Sequence, residues 1–189
     1  WGLDQGFDTY VDDFDVKGQR FIAMGGVQRP ANEVIDKALE WMGRDRSAPF
    51  FLWVHLYDPH APYEAPEPYK SRYPGAPYLA EIAFTDNQVG RLIEALEMTG
   101  KKDSTFIVVA ADHGESLGEH GEIQHGFFIY ESATHVPLII STPFEEIAGV
   151  QTNEVVSLID VMPTILDMTG FEIPEAVQGQ SLTSLFLEG

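Results

Sequence analysis

From Pro30 onward, apolar side chains recur at intervals of three and four residues: Val34, Ile35, Ala38, Leu39 and Met42 form one stripe. That spacing predicts an amphipathic helix, started by a proline and ended near Gly43. A second stripe, Leu79, Ile82, Ala83, Val89, Leu92, Ile93 and Leu96, predicts a longer helix over 76–99, stopped by Gly100. Between them the pattern changes. Phe50-Phe51-Leu52-Trp53-Val54 is a continuous apolar run, which predicts a strand of a parallel sheet covered on both faces. Phe106 to Ala111 and Val136 to Ile140 predict two further buried strands, and Val155-Val156 a short one. A last helix is expected from Ile159 to Met168, ended by Gly170. Strands alternating with helices predict an α/β architecture. Residues 1–29 are acidic, glycine-bearing and without a sustained period, and read as surface loop. No internal repeat or low-complexity linker interrupts the rest, so residues 30–189 read as core strands and helices with no second domain.

Two polar loops follow predicted strands. His55, Asp58 and His60 come just after the first, and Asp112-His113-Gly114-Glu115 directly after the second. Open α/β sheets place ligands at the carboxyl ends of their strands, so two such loops can face one cleft. Five of the six histidines, His55, His60, His113, His120 and His125, fall in these loops, and His135 lies beyond them. Asp112 offers a hard carboxylate oxygen and His113 an imidazole nitrogen, a combination suited to a divalent cation. Gly114 is read as letting the backbone turn tightly. Ser116 is no nucleophile candidate, since no Gly-x-Ser-x-Gly elbow surrounds it. Glu81 and Asp86, at helical spacing, read as the solvated or packing face of the long helix. The amino-terminal aspartates lack the spacing of an EF-hand and are treated as surface.

Charge narrows the field. With 11 Lys and Arg against 30 Asp and Glu, the formal net charge is −19. Such a surface repels nucleic-acid phosphates and anionic membranes, so neither is expected as a partner. An anionic substrate needs a local cation or bound metal to reverse that field. The sequence has no cysteine, which excludes disulfides, thiolate ligands and a cysteine nucleophile. No stretch reaches the roughly 20 apolar residues of a membrane span. The start, Trp1-Gly2-Leu3-Asp4, has neither an initiator Met nor a signal-peptide pattern, so the segment reads as cut from a longer chain.

Several motifs then resemble the sulfatase family of the alkaline phosphatase superfamily. They are Ala111-Asp112-His113-Gly114-Glu115, Gly118-Glu119-His120-Gly121 and Val136-Pro137-Leu138-Ile139, in unbroken order. His55-Leu56-Tyr57-Asp58-Pro59-His60-Ala61-Pro62-Tyr63 is similar to the family's substrate-histidine loop, and Leu158 to Leu166 to its segment after the core strands. The resemblance covers about residues 30 to 185. It implies an α/β sandwich with a mostly parallel central sheet, present as the carboxyl-terminal portion of one catalytic domain over residues 1–189. It implies a sulfuric ester hydrolase in which Asp112 and His113 ligate a single divalent metal, normally calcium. Many family members have Asp-Asn there, and the imidazole keeps manganese or zinc open. His60 matches the histidine that binds the ester and helps protonate the leaving oxygen. His125 stands where most members carry a sulfate-contacting lysine, and supplies positive charge only while protonated. His55, Asp58 and His120 are candidates for orienting the others or contacting substrate, with loop-stabilising hydrogen bonds as the alternative.

The nucleophile, a formylglycine within Cys/Ser-x-Pro-x-Arg, and a leading Asp-Asp metal pair are absent from the sequence. In the family both come from the amino-terminal half of the domain, so that half is the required partner and this segment alone is expected to be inactive. The implied substrate is a sulfate-ester small molecule or glycan. Most relatives are exported, which implies an extracytoplasmic location. Two other functions stay open. One is a phosphate or phosphonate ester hydrolase, or a phosphoethanolamine transferase, of the same superfamily. The other is a non-catalytic binding module.

Overall fold

A computed structural model describes residues 2–12, 28–44, 48–144 and 149–187. The chain divides into two compact units, Trp1–Thr99 and Gly100–Gly189. Part of the predicted amino-terminal loop, residues 13–27, lies outside the described residues, and residues 2–12 contain a turn but neither helix nor strand.

The first unit is helical. It contains α1 (Ala31–Met42), α2 (Tyr69–Arg72) and α3 (Pro77–Met98), with α1 and α2 both packed on α3. Ala31, Ile35 and Ala38 bury the predicted stripe of α1. Arg91 on α3 ties the two helices together by reaching Asp36 on α1 at 2.6 Å. Gly100 takes φ +67°, the left-handed conformation that favours glycine, just past the end of α3.

The buried face of α3 is not the predicted one. Ala80, Glu81, Phe84, Gln88 and Leu96 are buried, while Leu79 and Ile82 are exposed. Two polar residues on the inner face had shifted the apparent stripe. The run Phe50–Val54 also differs from expectation, because residues 49–58 form no strand. Phe51 and Trp53 are 63% and 67% exposed. An apolar run becomes a strand only where neighbouring backbone takes its N–H and C=O groups, and none among the described residues does so.

The second unit carries the sheet. β1 (Ile107–Ala110) and β2 (Leu138–Ser141) pair antiparallel, in a register that sets Val109 opposite Ile139. The expected sheet was mostly parallel, and this pair is not. Apolar periodicity reports burial, and carries no information about strand direction. Val155 is fully exposed and forms no strand. α4 (Glu131–Thr134) is a short helix that the pattern did not predict. α5 (Val161–Met168) follows a single 3-10 turn whose start is closed by a capping box between Ser157 and Asp160. Buried Thr164 donates its hydroxyl to Asp160 O at 2.6 Å and accepts Leu182 N–H at 2.9 Å, fixing the segment before α6 (Thr183–Leu187). No helix among the described residues is long and apolar enough to cross a membrane.

Candidate functional site

In the first unit, His60 sits on the loop between α1 and α2. Its Nδ1 lies 2.7 Å from Ala61 O. A carbonyl only accepts, so Nδ1 carries a hydrogen, and in the neutral ring Nε2 is the lone pair. Nε2 is 3.3 Å from Tyr57 Oη, and the two rings lie 4.3 Å apart.

Two carboxylates fix this loop, one by accepting from its backbone and one by reaching out from it. Glu81 accepts the N–H of His60 on Oε2 at 3.0 Å and that of Glu64 on Oε1 at 2.6 Å. Asp58 Oδ2 accepts Ala31 N–H at 2.6 Å, satisfying one of the unpaired donors in the first turn of α1. Burial pushes both carboxyls above their ordinary range, and the backbone N–H groups pull partly back. Glu81 is raised further by the negative charge of Asp58. Asp58 thus fastens the loop to α1. His55 is exposed, with no hydrogen bond or ring contact among the described residues.

In the second unit the loop after β1 brings together Asp112, His113, Glu115 and His125. Asp112 Oδ1 accepts the His113 backbone N–H at 3.0 Å. His113 Nδ1 lies 2.8 Å from Gly114 O, so this nitrogen too carries a hydrogen and Nε2 is the lone pair. The His125 ring lies 3.9 Å from the His113 ring, and its Nδ1 is 3.0 Å from Glu115 Oε1. His120, at φ +56°, stacks on Tyr130 at 4.1 Å and touches none of these side chains directly. Glu119 accepts Leu117 N–H at 2.6 Å, and backbone N–H groups hold its carboxyl below the usual range.

Gly114 and Ser116 join this loop to α4. Gly114 donates to Ala133 O at 2.8 Å, and a Cβ at 114 would run into the Ser132 carbonyl oxygen. Close backbone approach, rather than the tight turn read from the sequence, is what demands a glycine there, since its φ is not left-handed. Ser116 is fully buried with its hydroxyl 2.8 Å from that of Ser132, an anchor and not a nucleophile.

The donors suit a divalent cation. His113 Nε2 and Asp112 Oδ2 stand 3.8 Å apart, with side chains 40% and 78% exposed. Two donors each bound at about 2.1 to 2.4 Å to one ion, at an open angle, lie about that far apart. Among the described residues no group of three or more potential ligands is assembled.

Three residues escaped the sequence reading of the site. Tyr57 was seen only as part of a motif, Glu81 was assigned to a helix face, and the 7%-exposed Glu115 side chain was not connected to His125.

Known proteins are similar to this chain in sequence and in fold. An arylsulfatase of Clostridium perfringens is 29% identical over 84% of this chain and 42% of its own. An N-acetylglucosamine-6-O-sulfatase of Bacteroides thetaiotaomicron is 41% identical over 56% of this chain and 19% of its own. The solved structure of a phosphonate monoester hydrolase from Silicibacter pomeroyi superposes with a TM-score of 0.66 at 28% identity, covering 98% of this chain and 48% of its own. The chain thus spans less than half the length of these relatives, and carries part of an alkaline-phosphatase-like α/β fold. The Sulfatase family profile matches residues 2–171, and the chain belongs to that family.

Proposed function

We propose that this chain is the carboxyl-terminal portion of a sulfuric ester hydrolase, supplying two metal ligands and the acid that assists the leaving alcohol. The observation that carries the reading is the pair Asp112 Oδ2 and His113 Nε2, 3.8 Å apart, with the other ring nitrogen tied to a carbonyl. Sulfatases generally depend on a metal ion, and in this reading Asp112 and His113 hold one, calcium in the first instance. Bound there, the ion would polarise an ester oxygen and offset the repulsion between an anionic substrate and a chain of net charge −19.

The chain's own residues do the rest of what is assigned to it. His60 gives a proton from Nε2 to the departing ester oxygen, so that an alcohol rather than an alkoxide leaves. Tyr57 Oη, beside that nitrogen, orients it. His125, paired with Glu115, faces His113 and contacts the substrate's oxygens while protonated. The nucleophile and the leading Asp-Asp pair belong to the amino-terminal half, and the substrate is a sulfate ester of a small molecule or glycan. The overall balance is ester plus water giving alcohol, sulfate and a proton.

A second reading has its own support. The His113 donor suits softer ions such as manganese or zinc. The phosphonate monoester hydrolase structure matches nearly the whole chain. The deciding experiment assays the polypeptide carrying both halves on an aryl sulfate, an aryl phosphate and an aryl phosphonate, each with calcium, manganese or zinc restored after chelation. Preferred turnover of the sulfate ester upholds the first reading. Preferred turnover of either phosphorus ester overturns it, and no turnover of any ester leaves the binding-module alternative.

A further inference from the structure

Glu81 is an expensive residue to bury. A carboxylate on the inner face of α3, 4% exposed, is costly to desolvate, and an apolar side chain would fill the space more cheaply. Its two oxygens do different things, one accepting His60 N–H and the other Glu64 N–H. The stretch 60–64 is therefore held at both ends by one side chain. Within it lies Ala61, whose carbonyl holds the hydrogen of His60 Nδ1 and so sets the ring's orientation.

We propose that Glu81 is the positioning residue for His60: by clamping the backbone of residues 60 and 64 from α3, it fixes where the imidazole presents Nε2. The role rests on the reading of His60 as the acid for the leaving oxygen. Glu81 itself touches no reacting atom. Glutamine cannot replace it, because an amide presents one acceptor and one donor where two backbone donors converge. A misplacement of about 1 Å in a catalytic group costs on the order of 100-fold in rate.

The test uses the polypeptide carrying both halves and two sulfate esters, one with a poor leaving alcohol and one with a nitrophenol, which departs without needing a proton. Glu81→Gln is expected to lower kcat about 10- to 100-fold on the first ester and only about threefold on the second, with KM nearly unchanged. His60→Ala, run beside it, should show the same split more strongly. An equal loss on both esters with Glu81→Gln, while His60→Ala retains the split, overturns the positioning role alone. No split with His60→Ala overturns the acid reading, and the positioning role with it. Should Glu81→Gln fail to fold, Glu81→Asp, one methylene short, is read in the same way.

Discussion

The His60 loop and the Asp112–His125 loop are built by opposite means. The first is tied to two helices by carboxylates: its own Asp58 reaches the start of α1, and Glu81 reaches the loop backbone from α3. Their polar atoms are satisfied by backbone N–H groups, so the loop's position is specified at a cost in desolvation. In the second, Asp112 and His113 are oriented by their immediate neighbours and left in water. A solvated pair carries almost no desolvation cost, and a cation bound there, as proposed, would replace water rather than a protein partner. On the proposed roles, the contrast sets a proton-transfer group held in advance against ligands that would be completed by the ion they bind.

The largest predicted effect falls on the open pair. Asp112→Ala removes half of it, and turnover of the polypeptide carrying both halves should fall roughly 1000-fold or more, since the metal's charge stabilisation is worth several kcal/mol. Because Asp112 makes only local contacts, its thermal midpoint without added metal should barely move. A large loss of stability in that variant would mean that the loop is gripped like its counterpart, and the comparison would fail.

A smaller effect separates the anchor of the second loop from its tip. Gly114→Ala forces a methyl against the Ser132 carbonyl, so urea denaturation should show a loss of about 1 to 3 kcal/mol, as overpacking typically costs. Unchanged stability would show that α4 yields readily and does not support the loop.

The smallest effect concerns pH. Asp58 is held above its ordinary range chiefly by burial, so between its unfolded and folded values the folded state binds the extra proton. Its contribution to stability is complete below about pH 4, where the unfolded group also protonates, and is lost as pH rises through the raised value. Asp58→Asn keeps an acceptor for Ala31 N–H but cannot titrate. The stability difference between this variant and the wild type should therefore shift in the variant's favour as pH rises from about 4 toward neutrality. A difference that is flat, or slopes the other way, contradicts the grip described for the first loop.

Much of this was legible in the sequence, for identifiable reasons. α1, α3 and α5 form over their predicted stretches, although α3 buries a different face from its apolar stripe, and β1 and β2 fall where the aliphatic runs are. Strand direction was not legible, and neither was the fate of Phe50–Val54, because both depend on partners that a local pattern does not describe. The Asp112-His113 dipeptide stood out by composition, yet its donor atoms emerge only from hydrogen bonds to Gly114 O and within the pair. Glu81 illustrates the converse. Helical spacing placed it on a face, but only the fold shows that this face meets a loop whose backbone donors need a carboxylate.

The most direct test asks whether His113 is a metal ligand. Manganese, added to the polypeptide carrying both halves, would be examined by pulsed electron paramagnetic resonance for coupling to a coordinated imidazole nitrogen. The coupling should be present in the wild type, absent in His113→Ala and retained in His125→Ala. Its persistence in His113→Ala, or its absence from the wild-type protein with manganese bound, would contradict the assignment of Asp112 and His113 as the metal pair.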